Sequence, residues 1–178
     1  GLTGQLGDPN ATLTLFAPPN DAFNAAASRI GFGDGAAMIN ALSSPQLAGI
    51  LGFHLVPRRL SFAELQSFGN PGGERPATLY SFRGVAAQLI FIAQNDQLNI
   101  WDGVGRTSIT MTQTDLAATN GVIQVVSDVL LPRGVLTVSQ MLRANIDFFA
   151  RYSGAMSPQL IAELNGPGPF TLFVPQDT

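Results

Sequence analysis

Thr14-Leu15-Phe16-Ala17-Pro18-Pro19-Asn20-Asp21-Ala22-Phe23 is the stretch on which the reading of this chain turns. Thr12 to Ala17 alternates, is largely apolar and stops where two prolines remove backbone donors, which predicts a short strand. Asn20 or Asp21 is placed to cap a helix over Ala22 to Ser28. The string returns at the far end as Thr171-Leu172-Phe173-Val174-Pro175, with Val174 in the place of Ala17. Phe16 and Phe173 stand about 157 residues apart, a period of domain size and far longer than that of a solenoid. Upstream, Leu2 and Leu6 match Leu160 and Leu164, with one loop residue gained or lost between. A helix end, a loop and a strand therefore occur twice. The chain reads as beginning inside one copy and stopping inside the next.

Between the two copies of this string the pattern moves from helices to strands and back. Gly31 to Gly35 is a loop, and Met38, Ile39 and Leu42 mark a short helix. Ser44-Pro45 opens another, with Leu47, Ile50, Leu51 and His54 at helical spacing, and it ends before Pro57. Ser61 to Gln66 is a helical turn, with Ser61 and Glu64 spaced as a capping box. After Asn70-Pro71-Gly72-Gly73 the period changes to two, and strands are predicted over Ala77 to Phe82, Gln88 to Ala93, Gln97 to Trp101 and Ser108 to Thr112. Asn95-Asp96 and Asp102-Gly103 sit at hairpin turns. Asp115 to Ala118 reads as a helical turn, Asn120-Gly121 as a turn with positive φ, and Val122 to Val126 as a strand. Residues 133–135 form a linker. Leu136 to Asn145, a stretch around Phe148-Phe149, and Ser157-Pro158 to Leu164 are helical. Helices, then strands, then helices give an α+β fold.

The bulk properties suit a packed domain and exclude several functions. Of 178 residues, 46% are hydrophobic and only 12% are charged, with a mean hydropathy of +0.22. That is too apolar for a disordered segment. No run approaches the ~18 apolar residues of a membrane span. The net charge is −3, all nine basic residues are arginine, and only Arg58-Arg59 stand together, so the basic face that nucleic acid requires is missing. With no cysteine, disulfides and cysteine zinc sites are excluded. Gly1-Leu2-Thr3-Gly4 is not the start of a signal peptide, and there is no initiator Met. Both fit a piece of something longer.

Three groups of residues, in order, resemble the boxes of the fasciclin-type domain. The first is Thr14 to Phe23, an apolar strand, Ala-Pro and an Asn-Asp-Ala-Phe helix start. The second is Phe53-His54-Leu55-Val56-Pro57, followed by Leu60 and Leu65. The third is Asp115, Asn120-Gly121-Val122-Ile123 and Val129-Leu130-Leu131-Pro132. Residues 1–132 are similar to the family from its third helix to its end. Residues 136–178 are similar to its beginning, through Leu136-Thr137-Val138, Asp147-Phe148 and Pro169 to Phe173. The resemblance implies short strands in a twisted sheet or wedge with several small helices packed at one side. It implies a non-enzymatic adhesion or scaffolding module, secreted to an extracellular, cell-surface or periplasmic location. Such a module self-associates or meets neighbouring fasciclin-type domains, surface proteins or glycans, with no cofactor and no nucleic acid. The alternative it implies is a carrier of an apolar ligand such as a carotenoid.

Candidate sites are few. His54 is the sole histidine, lacks a second ligand or acid at metal or catalytic spacing, and reads first as a packed, hydrogen-bonded structural residue and second as a recognition residue. In animal members of the family a Tyr-His pair with aliphatic flanks is associated with integrin binding. The matching recognition pair is Phe53-His54, flanked by Ile50, Leu51, Leu55 and Val56 and lacking the tyrosine hydroxyl. Ser43 and Ser44 lack a nucleophile elbow. Gly103 to Thr107 lacks the lysine of a phosphate loop and reads as a turn between strands. Asp21 is expected as a cap or loop tie. Asn10-Ala11-Thr12 is a glycosylation sequon at Asn10. If the opening helices of the family are missing from 1–132, residues 136–164 are expected to cover the exposed face. Leu136, Val138, Met141, Leu142, Phe148 and Phe149 are then the docking residues, in this chain or on a neighbour.

Overall fold

The computed structural model describes residues 2–94, 97–105, 109–145 and 156–174. The α+β organisation expected from the pattern is the one that forms. A six-stranded mixed sheet carries the order β2-β1-β8-β7-β6-β5 and a separate two-stranded hairpin is β3-β4. In chain order the strands are β1 Leu13–Ala17, β2 Leu55–Val56, β3 Ala77–Phe82, β4 Val85–Gln88, β5 Ile90–Gln94, β6 Gln97–Trp101, β7 Ile109–Ala118 and β8 Gly121–Val126. The helices are α1 Leu2–Gly7, α2 Asn20–Ile30, α3 Gly35–Ala41, α4 Ser44–Phe53, α5 Phe62–Phe68, α6 Val138–Ala144 and α7 Pro158–Leu164.

β1 lies between β2 and β8, antiparallel to the first and parallel to the second, with Leu13 opposite Gly121 and Ala17 opposite Val125. A Cβ on Gly121 would lie 2.2 Å from the Leu13 carbonyl oxygen. Glycine is therefore required there by the approach of β1. Gly121 does not have a positive φ, contrary to the expectation from the Asn-Gly pair. Asn120 instead donates its side-chain amide to the Leu6 and Asp8 carbonyls, at 2.9 and 3.0 Å, and closes the C-terminal end of α1.

β7 departs most from the reading of the sequence. Asp115 to Ala118, expected as a helical turn, continue the strand through two irregularities, one on each side of Gln113. Asp115 has φ +56°, and the gap in the ladder is filled by the fully buried Gln124 side chain. Gln124 Oε1 accepts from the Asp115 N–H at 2.9 Å, while its Nε2 donates to Asp115 Oδ1 at 2.9 Å and to the Leu60 carbonyl at 3.0 Å. Asp115 Oδ1 also accepts from the Phe62 N–H at 2.9 Å, at the start of α5. Thr14, equally buried, donates to the Arg58 carbonyl at 2.6 Å and accepts from the Leu60 N–H at 2.8 Å. Two side chains of the sheet thus satisfy the backbone of the segment that crosses it.

Local signals explain the helix starts. Ser43 with Gln46, Ser61 with Glu64 and Thr137 with Gln140 each form the reciprocal capping box. Asp21 is not a cap: α2 begins at Asn20 after Pro19, and Asp21 lies in its first turn, where a carboxylate favours the helix dipole. The strand expected over Gln88 to Ala93 divides at the buried Leu89, whose N–H donates to the Pro76 carbonyl at 3.1 Å. Two cores result. One, around Phe16, Phe53, Leu60 and Phe91, lies between the sheet, α4 and α5; the other, around Ala26, Ala27, Met38 and Val129, lies under α2, α3 and α6.

Thr171 to Val174 match β1 in sequence but form no strand. Phe16 is 0% exposed, whereas Phe173 is 88% exposed. Asn95-Asp96, Asp147 and Phe148-Phe149 lie outside the described residues.

Replacing Gly121 by Ala should cost about 2 kcal/mol or more in denaturant unfolding, because backbone rather than a pliable side chain meets the new methyl group. The hydrogen bonds from Ser61, its side chain foremost, hold the Glu64 carboxyl below its ordinary value of 4.5. A depressed value stabilises the fold above 4.5 and loses that effect as pH falls through it. Protection factors of the amides in the first turn of α5, measured against the intrinsic exchange rate at each pH, should therefore fall below pH 4.5 in the parent and show no such step in Glu64→Ala.

Candidate functional site

The β3–β4 hairpin lies against residues 133–135 and holds them. Tyr80 donates its hydroxyl to the Arg133 carbonyl at 2.8 Å. Burial raises the Tyr80 hydroxyl above its ordinary value of 10, so the proton it donates is retained to higher pH. Gln46, already used in the cap of α4, donates its amide to the Val135 carbonyl at 2.8 Å. Arg133 Nε donates to the Gly103 carbonyl at 3.3 Å. Gly134 has φ +77°, and a Cβ there would lie 2.0 Å from the Phe82 ring, so that ring rests directly on the linker backbone. The buried Val135 side chain packs at Gly49 of α4. Each of residues 133–135, read as a linker, is in this way tied to the rest of the chain, although Arg133 and Gly134 remain exposed.

Between the hairpin, the end of β6 and Arg133 lies a groove of about 330 Å³. Phe53 and Tyr80 form its floor, their rings edge to face at 6.3 Å. Phe82, Val85 and Trp101 form its walls and are 37%, 71% and 41% exposed. Arg75 and Arg133 stand at its edge, and the Arg83 guanidinium lies 5.2 Å from the centre of the Phe82 ring. Asp102 is buried beneath, its carboxylate accepting from the Val104 N–H at 3.1 Å and the Leu131 N–H at 3.3 Å. Two further hollows, one beside α5 and β6 and one between α2 and α6, are lined mainly by amides, hydroxyls and backbone.

His54 and Phe53 are both buried. His54 Nδ1 lies 2.7 Å from the Ile50 carbonyl, and its Nε2 is 3.0 Å from the Leu130 N–H. The pairing assigns the neutral tautomer protonated at Nδ1, which donates to Ile50 while Nε2 accepts from Leu130. The ring thus ties the end of α4 to the buried Val129-Leu130-Leu131 run; Phe53 meets the groove from below. Asn10 and Thr12 of the sequon are exposed. Among the docking candidates, Leu142 is buried, Val138 is half-buried, and Leu136 and Met141 pack against the core that holds Ala26, Ala27 and Ile30 of α2. These contacts lie within this chain. Phe148 and Phe149 lie outside the described residues. Among the described residues no three His, Asp or Glu side chains stand together as metal ligands.

The groove was not visible in the sequence because its walls come from β3, β4, β6 and the linker, and no spacing joins them. A signal was nonetheless present: Trp101 falls on the Gln97 and Asn99 face of β6, opposite the buried Leu98 and Ile100.

His54→Ala should cost roughly 2–5 kcal/mol in denaturant unfolding, since it strands the Ile50 carbonyl and the Leu130 N–H. Tyr80→Phe should speed tryptic cleavage after Arg133 about fivefold, as expected for losing about 1 kcal/mol of linker restraint. An unchanged cleavage rate would show that the hydroxyl does not hold the linker.

Comparison with known proteins places this architecture. The chain is 31% identical over 120 residues to Protein sll1483 of Synechocystis sp., an alignment covering 67% of this chain and 55% of that protein. Its structure is similar to a FAS1 domain pair from the insect cell adhesion molecule Fasciclin I, with a TM-score of 0.52 and 20% identity over 92% of this chain and 52% of that one. The chain thus spans about half the length of each. The second likeness concerns the fold alone. The family model of the fasciclin domain matches residues 1–132, the stretch from α1 through the buried Val129-Leu130-Leu131 run, and on that match the chain belongs to the fasciclin domain family.

Proposed function

We propose that this chain is a section of a tandem fasciclin array that works outside the cell or at its surface as an adhesion and scaffolding module. Residues 1–132 make up one domain, residues 133–135 the linker and residues 136–178 the opening of the next. The observation that carries this reading is the contrast between Phe16, wholly buried between β2 and β8, and Phe173, the same residue of the repeated string, which is almost fully exposed. A side chain of that size is placed in water at a cost of about 2 kcal/mol unless a partner covers it. The partner that fits is the remainder of its own sheet, further along the polypeptide. The likeness to a domain pair over 92% of this chain, against 132 residues matched by the family model, supports the same reading. Fasciclin I is a cell adhesion molecule, and repetition of weak surface contacts with neighbouring domains, proteins or glycans gives such modules avidity. No helix among the described residues is long and apolar enough to cross a membrane.

The docking of α6 onto α2 supports a role for residues 136–164 in completing the first domain. Removing residues 136–178 would expose Ala26, Ala27 and Ile30, and light scattering should report aggregation or a lower melting temperature. A truncated form as stable and monomeric as the parent would reject that role. For the array itself, mass spectrometry of the polypeptide from its source should find this segment within a longer chain with further copies. A source polypeptide of 18.8 kDa would overturn the array.

A further inference from the structure

The groove on the β3–β4 hairpin combines features that the array does not require. Two of the nine arginines, Arg75 and Arg133, line it in a protein of net charge −3, and a third, Arg83, lies against the Phe82 ring. Among the described residues Arg75 has no hydrogen bond or ion pair, and the Arg133 guanidinium engages only through Nε, with the Gly103 carbonyl. The carboxylate of the groove, Asp102, is buried and directed at backbone N–H groups. The edge therefore presents guanidinium groups, while the carboxylate beneath them is already engaged with backbone N–H groups. Beside it Phe82, Val85 and Trp101 expose apolar surface that burial against a ligand would remove from water.

We infer that this groove binds a small amphipathic carboxylate, its apolar body lying against Phe82, Val85 and Trp101 and its carboxylate held by Arg75 and Arg133. Guanidinium groups recognise a carboxylate through paired, charge-assisted hydrogen bonds, and they do so best beside a surface that excludes water. A neutral polyene would use the apolar walls and leave the arginines idle. An acidic polysaccharide would need many polar groups for its hydroxyls, and in the groove Gln88 alone supplies a side-chain amide. A volume of about 330 Å³ suits a short chain or a single ring system. The inference rests on the groove alone, so its failure would leave the tandem reading untouched.

Trp101 is the sole tryptophan, and its fluorescence reports this groove directly. Decanoate, added to the full chain below its micelle concentration, should shift the Trp101 emission saturably. Decanol, with the same body and no charge, should bind at least tenfold more weakly. Arg75→Gln with Arg133→Gln should weaken decanoate at least tenfold, and Val85→Asp should do so through the body. All three positions are exposed, so the fold should tolerate these changes, and far-UV circular dichroism checks that it does. Absence of a saturable shift, equal affinity for decanol, or unaltered affinity in the arginine variant would each overturn the inference. Saturation by heparin without a response to decanoate would overturn it in favour of an acidic glycan.

Discussion

The parallel pairing of β1 with β8 is the constraint on which the rest of the domain depends. It joins segments about a hundred residues apart, and the entropy of closing so long a loop must be offset in one place. Three adjustments make that possible. Gly121 allows the backbones to meet at Leu13, Thr14 satisfies the crossing segment from one strand, and Gln124 does so from the other. Because Gln124 also fills the irregularity of β7, the same amide fixes the position of Asp115 and, through it, the start of α5. Removing polar atoms from water is costly unless each is matched, and here the matching spans three strands and a loop.

The two copies of one string show what a strand is made of. Thr14 to Phe16 and Thr171 to Phe173 are identical in sequence, yet only the first is a strand. The difference lies in the neighbours: β1 has β2 and β8 on its sides, and among the described residues nothing pairs with the second segment. Propensity proposes a strand, and a partner completes it.

The sequence was most legible where the decisive interaction is local. The capping box of Ser61 and Glu64, the proline-limited strand ending at Ala17 and the helical spacing that ends at His54 each involve residues within a few positions. It was least legible where the interaction is distant. Asp115 to Ala118 read as a helical turn because the Gln124 side chain that holds Asp115 at the irregularity of β7 is invisible in their own sequence. Gly121 suggested a turn, whereas its reason is the Leu13 carbonyl on another strand. Of the candidate sites, His54 was legible as a packed, hydrogen-bonded structural histidine, and its Leu130 partner, 76 residues away, was not. The groove had no motif at all, since surfaces built from four segments leave only a residue of misplaced apolar side chains in the pattern.

Residues 133–135 have a mechanical meaning. A tandem chain with slack joints behaves as beads on a string, coiling when free and lengthening easily when drawn. Here the joint is bonded to α4 through Gln46, to the hairpin through Tyr80 and to the β6–β7 turn through Arg133. A pull along the polypeptide at this point would load those three hydrogen bonds first. In the array proposed above, the same three bonds would resist bending at the joint between one repeat and the next.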